Sequence, residues 1–196
     1  MYASRIGRTV AGNPDMTKVM QVLGIRFDTA FALVAFIEDA RRFPSAKKLV
    51  SYIGLNPTVC FTGKDAGPRR VSRYGRSDLK ALMVEAAQNA LTRGRSDMHR
   101  WARRKAAEKK PRNLVVCALA RKMVCYVWHI LMGHPAPNKE PEASFKRKLV
   151  KLSGSLGKER MAGIGYRKTS DYVSAVCARL YPRQPAELRT AAPASA

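Results

Sequence analysis

The chain has 196 residues, 46% of them hydrophobic, enough for one well-packed core and too apolar for wholesale disorder. Its 37 Lys and Arg stand against 14 Asp and Glu, a net charge of +23, and a surplus of that size points to a polyanion as partner. No apolar run in the sequence reaches the ~18–20 residues of a membrane span, and the N-terminus lacks the order of a signal peptide, so a cytoplasmic protein without a membrane partner is expected.

The charge is unevenly spread. Residues 1–40 are neutral, residues 41–112 carry +14, residues 113–137 carry +2 and residues 138–196 carry +7. The cysteines Cys60, Cys117, Cys125 and Cys177 have no close pair, which predicts free thiols and no disulfide framework.

In chain order, residues 1–14 are polar and are expected to be frayed. Asp15 to Leu23 reads as a short helix, broken at Gly24-Ile25-Arg26, and Asp28 or Thr29 is placed to cap a second helix over Ala30 to Ala40. This pair is similar to a helix-hairpin-helix, which holds nucleic-acid phosphate through backbone N–H groups. The second glycine of that pattern is replaced by Arg26, and two readings stay open: a degenerate DNA hairpin using Gly24 and Arg26, or a purely structural helix pair.

Pro44 opens a third helix with Ala46, Leu49, Val50, Tyr52 and Ile53 on one face, ended by Gly54. Thr58 to Ser72 has no helical period and suits a small hairpin tipped by Lys64-Asp65-Ala66-Gly67. Ser77 or Asp78 then caps a helix whose apolar face is Leu79, Leu82, Met83, Ala86, Ala87 and Ala90. Met98 to Lys110 forms another, with Trp101 as its anchor. Leu114 to Met132 is the strongest helix, with Leu114, Cys117, Ala118, Arg121, Cys125, Trp128 and Leu131 recurring every three to four residues. Gly133 stops it, and Pro135 and Pro137 mark a domain edge. The predicted organisation is a domain over 15–137, a basic helical extension over 138–181 and a disordered tail over 182–196. The fold class is mainly α: a hairpin-like helix pair, a helical bundle, a small basic loop or hairpin insertion and a basic C-terminal tail.

The chemistry concentrates between the third and fourth helices. Lys64, Arg69, Arg70, Arg73, Arg76 and Lys80 lie among Gly63, Gly67, Gly75 and the hydroxyls of Thr62 and Ser72. Arginines there are suited to pair phosphates through their planar fork, lysines as point charges. Such contacts hold a backbone without reading sequence. Metal binding is not expected: Cys125 and His129 stand at i, i+4, but two ligands without partners make no site.

The segments RFPSAKKLVSYIGLNP and VSRYGRSDLKALMVEAA, in that order and spacing, resemble the C-terminal domain of the IS-one-ten type insertion-sequence transposases across about residues 15–135. The resemblance implies DNA transposition and recombination by a multimeric enzyme guided by a structured RNA, with DNA as partner. In that family the Gly-Leu-x-Pro turn leads to a serine followed by glycine, the proposed nucleophile of strand exchange. The same interval here ends on Thr62, followed by Gly63; Ser72 is the second candidate. Threonine departs from the pattern, and its methyl group crowds an in-line attack. The family's acidic, metal-binding N-terminal domain has no counterpart in this sequence. Divalent metal (Mg) is therefore expected only in that other domain, no cofactor in this chain, and no efficient catalysis by this chain alone. A non-catalytic truncated transposase and a general basic nucleic-acid-binding protein are the other readings.

Overall fold

A computed structural model describes residues 2–58, 61–62, 65–66, 70–71, 74–93, 96–108, 111–136, 138–157 and 161–182, with 58, 61, 62, 65, 66, 70, 71 and 93 described by their main chain alone. The architecture is mainly α. Helices α1 (Tyr2–Gly12), α2 (Pro14–Val19) and α3 (Phe27–Ile37) are followed by a 3₁₀ turn (Ala40–Arg42) and α4 (Ala46–Ile53). Four two-residue strands come next, β1 (Pro57–Thr58), β2 (Phe61–Thr62), β3 (Asp65–Ala66) and β4 (Arg70–Val71). The chain then forms α5 (Ser77–Arg93), α6 (Asp97–Ala107), α7 (Arg112–Leu131), α8 (Glu142–Leu156) and α9 (Thr169–Leu180).

The N-terminus differs from expectation. Residues 2–12 are helical, not frayed, because Gly7 and Val10 of α1 are buried. A Cβ on Gly7 would lie 2.6 Å from Ser155 Oγ, so glycine is what lets α1 settle against α8. Short helices gain most of their stability from such packing, which local sequence does not reveal. The next helix starts at Pro14, one residue before the Asp15 expected, and ends at Val19, short of Leu23; Asn13 Oδ1 accepts from the N–H groups of Asp15 (2.9 Å) and Met16 (3.1 Å). Helix α3 begins three residues earlier than expected, after Arg26 and without a side-chain cap.

Helix α7 sits at the centre, against α2, α4, α5 and α6. The buried stripe is Val115, Val116, Leu119, Ala120, Met123, Val124, Val127 and Ile130, not the stripe headed by Leu114 and Cys117 that spacing suggests. Those residues lie around its edge, Leu114 being exposed. Both stripes are largely apolar, the first interrupted by Arg121, and the positions of the neighbouring helices choose between them. By length and composition α7 is long and apolar enough to cross a membrane, although Arg121 and Lys122 interrupt its apolar run. Here that apolarity serves the core.

Two turns end as the sequence indicates. After α4, Gly54 is left-handed at φ +83°, Gly54 N–H donates to Ser51 O (2.9 Å) and Leu55 N–H to Val50 O (3.0 Å). After α7, His134 N–H donates to His129 O (3.0 Å) across Gly133. Both satisfy carbonyls that a helix end leaves open.

The helices of residues 138–181 share the core with those before Pro135. Phe145, Leu149, Leu152 and Leu156 of α8 and Tyr172, Val176 and Leu180 of α9 join the same buried cluster as α1 and α2. Polar contacts lace them down: Glu140 N–H to Gln21 O (2.9 Å), Gln21 Nε2 to Leu180 O (3.2 Å) and Tyr181 OH to Glu140 O (2.8 Å). Pro137 and residues 183–196 of the disordered tail expected over 182–196 lie outside the described residues.

Candidate nucleic-acid interface

The basic insertion leaves the core between Gly54 and Gly75, and these two glycines touch. A Cβ on Gly54 would lie 2.2 Å from Tyr74 O, and one on Gly75 would lie 2.5 Å from Gly54 N. Both have positive φ, +83° and +102°. Only glycine admits such a backbone approach in that conformation. Arg76 N–H donates to Tyr52 O (3.1 Å) and completes the closure. The two ends of the insertion are thereby clamped to the ends of α4 and α5.

Beyond the clamp the chain folds back on itself. β1 and β4 are antiparallel with Pro57 opposite Val71 and Thr58 opposite Arg70, and β2 and β3 with Phe61 opposite Ala66 and Thr62 opposite Asp65. Asp65 and Ala66 are thus strand residues paired with Thr62 and Phe61, whereas the sequence put them at the tip. Thr62 and Arg70 are located by their backbone in β2 and β4. Lys64, Arg69, Ser72 and Arg73 lie outside the described residues.

Arg76 is engaged within the fold. Its Nε and Nη2 donate to Asp78 Oδ1 (3.1 Å) and Oδ2 (2.7 Å), and its guanidinium stacks 4.1 Å from the Phe36 ring centre. The Arg76 fork, followed by the Leu79 N–H, holds the Asp78 carboxyl down from its ordinary 3.8 to about 2. A group whose folded value is depressed contributes stability that is present above its unfolded value and lost as pH falls through the folded one. In an acid titration followed by circular dichroism, wild type should exceed Asp78→Asn in stability above pH about 4, and the difference should vanish as pH approaches about 2. Lys80 lies one turn into α5, near enough to Cys117 to act on its thiol.

Beside the clamp is an aromatic and arginine cluster that the sequence reading did not single out. The Arg42 guanidinium lies 4.7 Å from the Phe43 ring centre and 5.0 Å from that of Tyr52, and its Nη2 donates to Phe36 O (3.0 Å). Trp128 Nε1 donates to Phe43 O (3.1 Å) and fixes the cluster to α7. Its residues Arg42, Phe43 and Tyr52 open the motif block itself, so their types were visible and their convergence was not.

Gly24 and Arg26 lie elsewhere, in the turn between α2 and α3. A Cβ on Gly24, at φ +82°, would lie 2.4 Å from Ala86 O, so its bare backbone is used against α5. A cavity of about 370 Å³ opens beside this turn, lined by Gly24, Arg26, Asn89 of α5 and Arg147, Lys148 and Lys151 of α8. No signal in the sequence joins residues so far apart.

Other chemistry is not supported by the donor sets. Among the described residues no group of three His, Cys, Asp or Glu is placed to hold a metal. Cys117, Cys125 and Cys177 are free, and burial pushes each thiol up and away from reactivity. Cys60 lies outside the described residues. His99 Nε2 is 3.1 Å from Leu91 O, and His129 packs its ring 5.1 Å from that of Trp128.

Residues 16–104 match the profile of the Transposase IS116/IS110/IS902 family. The chain is 28% identical over 128 residues to a probable family 20 transposase of Pseudomonas aeruginosa, covering 62% of this chain and 37% of that protein. It is 24% identical over 132 residues to the transposase for insertion sequence element IS1111A of Coxiella burnetii, covering 66% of this chain and 36% of that protein. The chain therefore spans little more than a third of the length of these relatives. The family match takes in the clamped insertion and the α2–α3 turn and ends within α6, before α8.

Proposed function

We propose, from the premise that residues 16–104 form a transposase domain of the IS116/IS110/IS902 family, that this chain grips the DNA backbone and presents a hydroxyl for strand exchange in the movement of an insertion sequence. The observation that carries the reading is the Gly54–Gly75 clamp. It ties both ends of the segment that contains Thr62, Lys64, Arg69, Arg70, Ser72 and Arg73 to two core helices. Stacked Arg42 and ion-paired Arg76 brace the clamp from below, which leaves the loop arginines as the phosphate contacts.

In the proposed step the Thr62 Oγ1 attacks a phosphodiester phosphorus. A phosphorus–Oγ1 bond forms, the bond to one sugar oxygen breaks, and the hydroxyl proton leaves to the released oxygen through water. The backbone site at β2 supports this role, because Thr62 occupies the family's serine position with Gly63 after it. The threonine methyl predicts a slow attack. Metal-bound carboxylates, a guide RNA and multimer assembly belong to the proposed whole enzyme.

The test is a covalent adduct. This chain, alone and supplemented with an acidic domain of a family relative, is incubated with nicked and branched DNA and run under denaturing conditions. An adduct is expected, enriched in Thr62→Ser and lost in Thr62→Ala by on the order of 10³-fold or more, as in other nucleophile deletions. An adduct that survives Thr62→Ala and disappears in Ser72→Ala moves the nucleophile to Ser72. No adduct in any mixture refutes the catalytic reading in favour of a binding-only protein.

A further inference from the structure

The cavity beside the α2–α3 turn is separate from the clamped loop and collects cations from distant parts of the chain. Arg26 comes from the turn, and Arg147 and Lys151 stand one helical turn apart on α8, with the Asn89 amide facing them from α5. All three cations are exposed. Lys148, the fourth cation, is spent: it is ion-paired with Glu140 and donates to Met20 O (2.9 Å) and Val22 O (3.0 Å). That pairing also neutralises Glu140, the one carboxylate among the described residues that line the cavity. Arg26, Arg147 and Lys151 have no ion-pair partner among the described residues.

Three like charges around one cavity repel unless an anion joins them. About 370 Å³ is room for a phosphate group with its adjoining sugar. Two arginine forks and a lysine suit phosphate oxygens. The geometry points to a second phosphodiester-binding site, built by α8 together with the α2–α3 turn, that holds the nucleic-acid backbone away from the loop.

Helix α5 ties the two sites together. It starts at the clamp and passes the cavity at Asn89, twelve residues on, a distance of roughly 18 Å or the rise of about five base pairs. The inference shares with the proposed function only the choice of nucleic acid as the polyanion.

The test is fluorescence anisotropy of the full chain with a labelled duplex across a salt series. Arg147→Gln with Lys151→Gln should weaken binding by about 60-fold near 0.1 M salt and make the salt slope shallower by about 1.8, as expected for two lost phosphate contacts. Arg5→Gln with Arg8→Gln, two exposed α1 cations, removes the same charge elsewhere and should change binding less than about threefold. Equal effects of the two double variants overturn the site. A loop variant, Arg69→Gln with Arg70→Gln and Arg73→Gln, separates the readings: loss there with no change in the cavity variant overturns this inference alone, and the reverse overturns only the loop reading. Loss of binding to phosphatidylserine vesicles with DNA binding intact also overturns it, in favour of a membrane surface. Unchanged thermal melting shows that the cavity variants fold.

Discussion

Lys148→Met should destabilise the fold by about 3–5 kcal/mol, the usual cost of removing one partner of a buried ion pair. The ammonium is almost wholly buried, and burial holds its pKa below the ordinary lysine value while Glu140 pulls it back up. It offsets the Glu140 carboxylate, which is itself buried, and caps the carbonyls of Met20 and Val22 at the end of α2. The substitution leaves a charge and two carbonyls without a donor. Ser144 Oγ, at 2.6 Å from Glu140 Oε1, can satisfy only part of that loss. Lys148→Met with Glu140→Leu should regain much of the stability, since an apolar pair of similar volume is often as stable as the ion pair it replaces. Denaturant midpoints at constant slope measure both variants. A Lys148→Met cost under ~1 kcal/mol would mean that α8 is not pinned to the α2–α3 turn.

Neutralising the loop with Arg69→Gln, Arg70→Gln and Arg73→Gln should cost on the order of 10²–10³-fold in affinity for duplex DNA near 0.1 M salt and make the salt slope shallower by about 2.7. Each phosphate contact on duplex DNA contributes about 0.9 to that slope, so the triple variant and wild type should differ less as salt rises. Arg76→Gln belongs to a different class. Its fork is occupied by Asp78 and its face by Phe36, so it should act through the shape of the clamp and leave the salt slope near that of wild type. Binding isotherms at four or more salt concentrations measure the slopes. A triple variant with the wild-type slope would remove the loop from the interface.

Much of the architecture was legible locally. Gly54 and Gly133 marked the ends of α4 and α7 because a left-handed residue is the simplest way to close a helix. The Leu79, Met83, Ala87 and Ala90 spacing marked the buried face of α5. The motif block pointed to the family that the comparisons support. What failed did so where two local answers were equally good. Helix α7 offers two apolar stripes, and α2, α4, α5 and α6 bury the one that spacing did not favour. Residues 2–12 look polar, yet Gly7 gives α8 a surface to pack on.

The sequence by itself determined that this protein is basic, mainly helical and built around a Gly-Leu-Asn-Pro break, because composition and backbone preference act over a few residues. Only the tertiary structure decided that Gly24 serves α5, that Arg76 is occupied by Asp78, and that Arg147 and Lys151 stand beside Arg26. The last of these brings together groups more than a hundred residues apart around one cavity, and packing of the whole core, with Lys148 bound to the Met20 and Val22 carbonyls, is the force that brings them there.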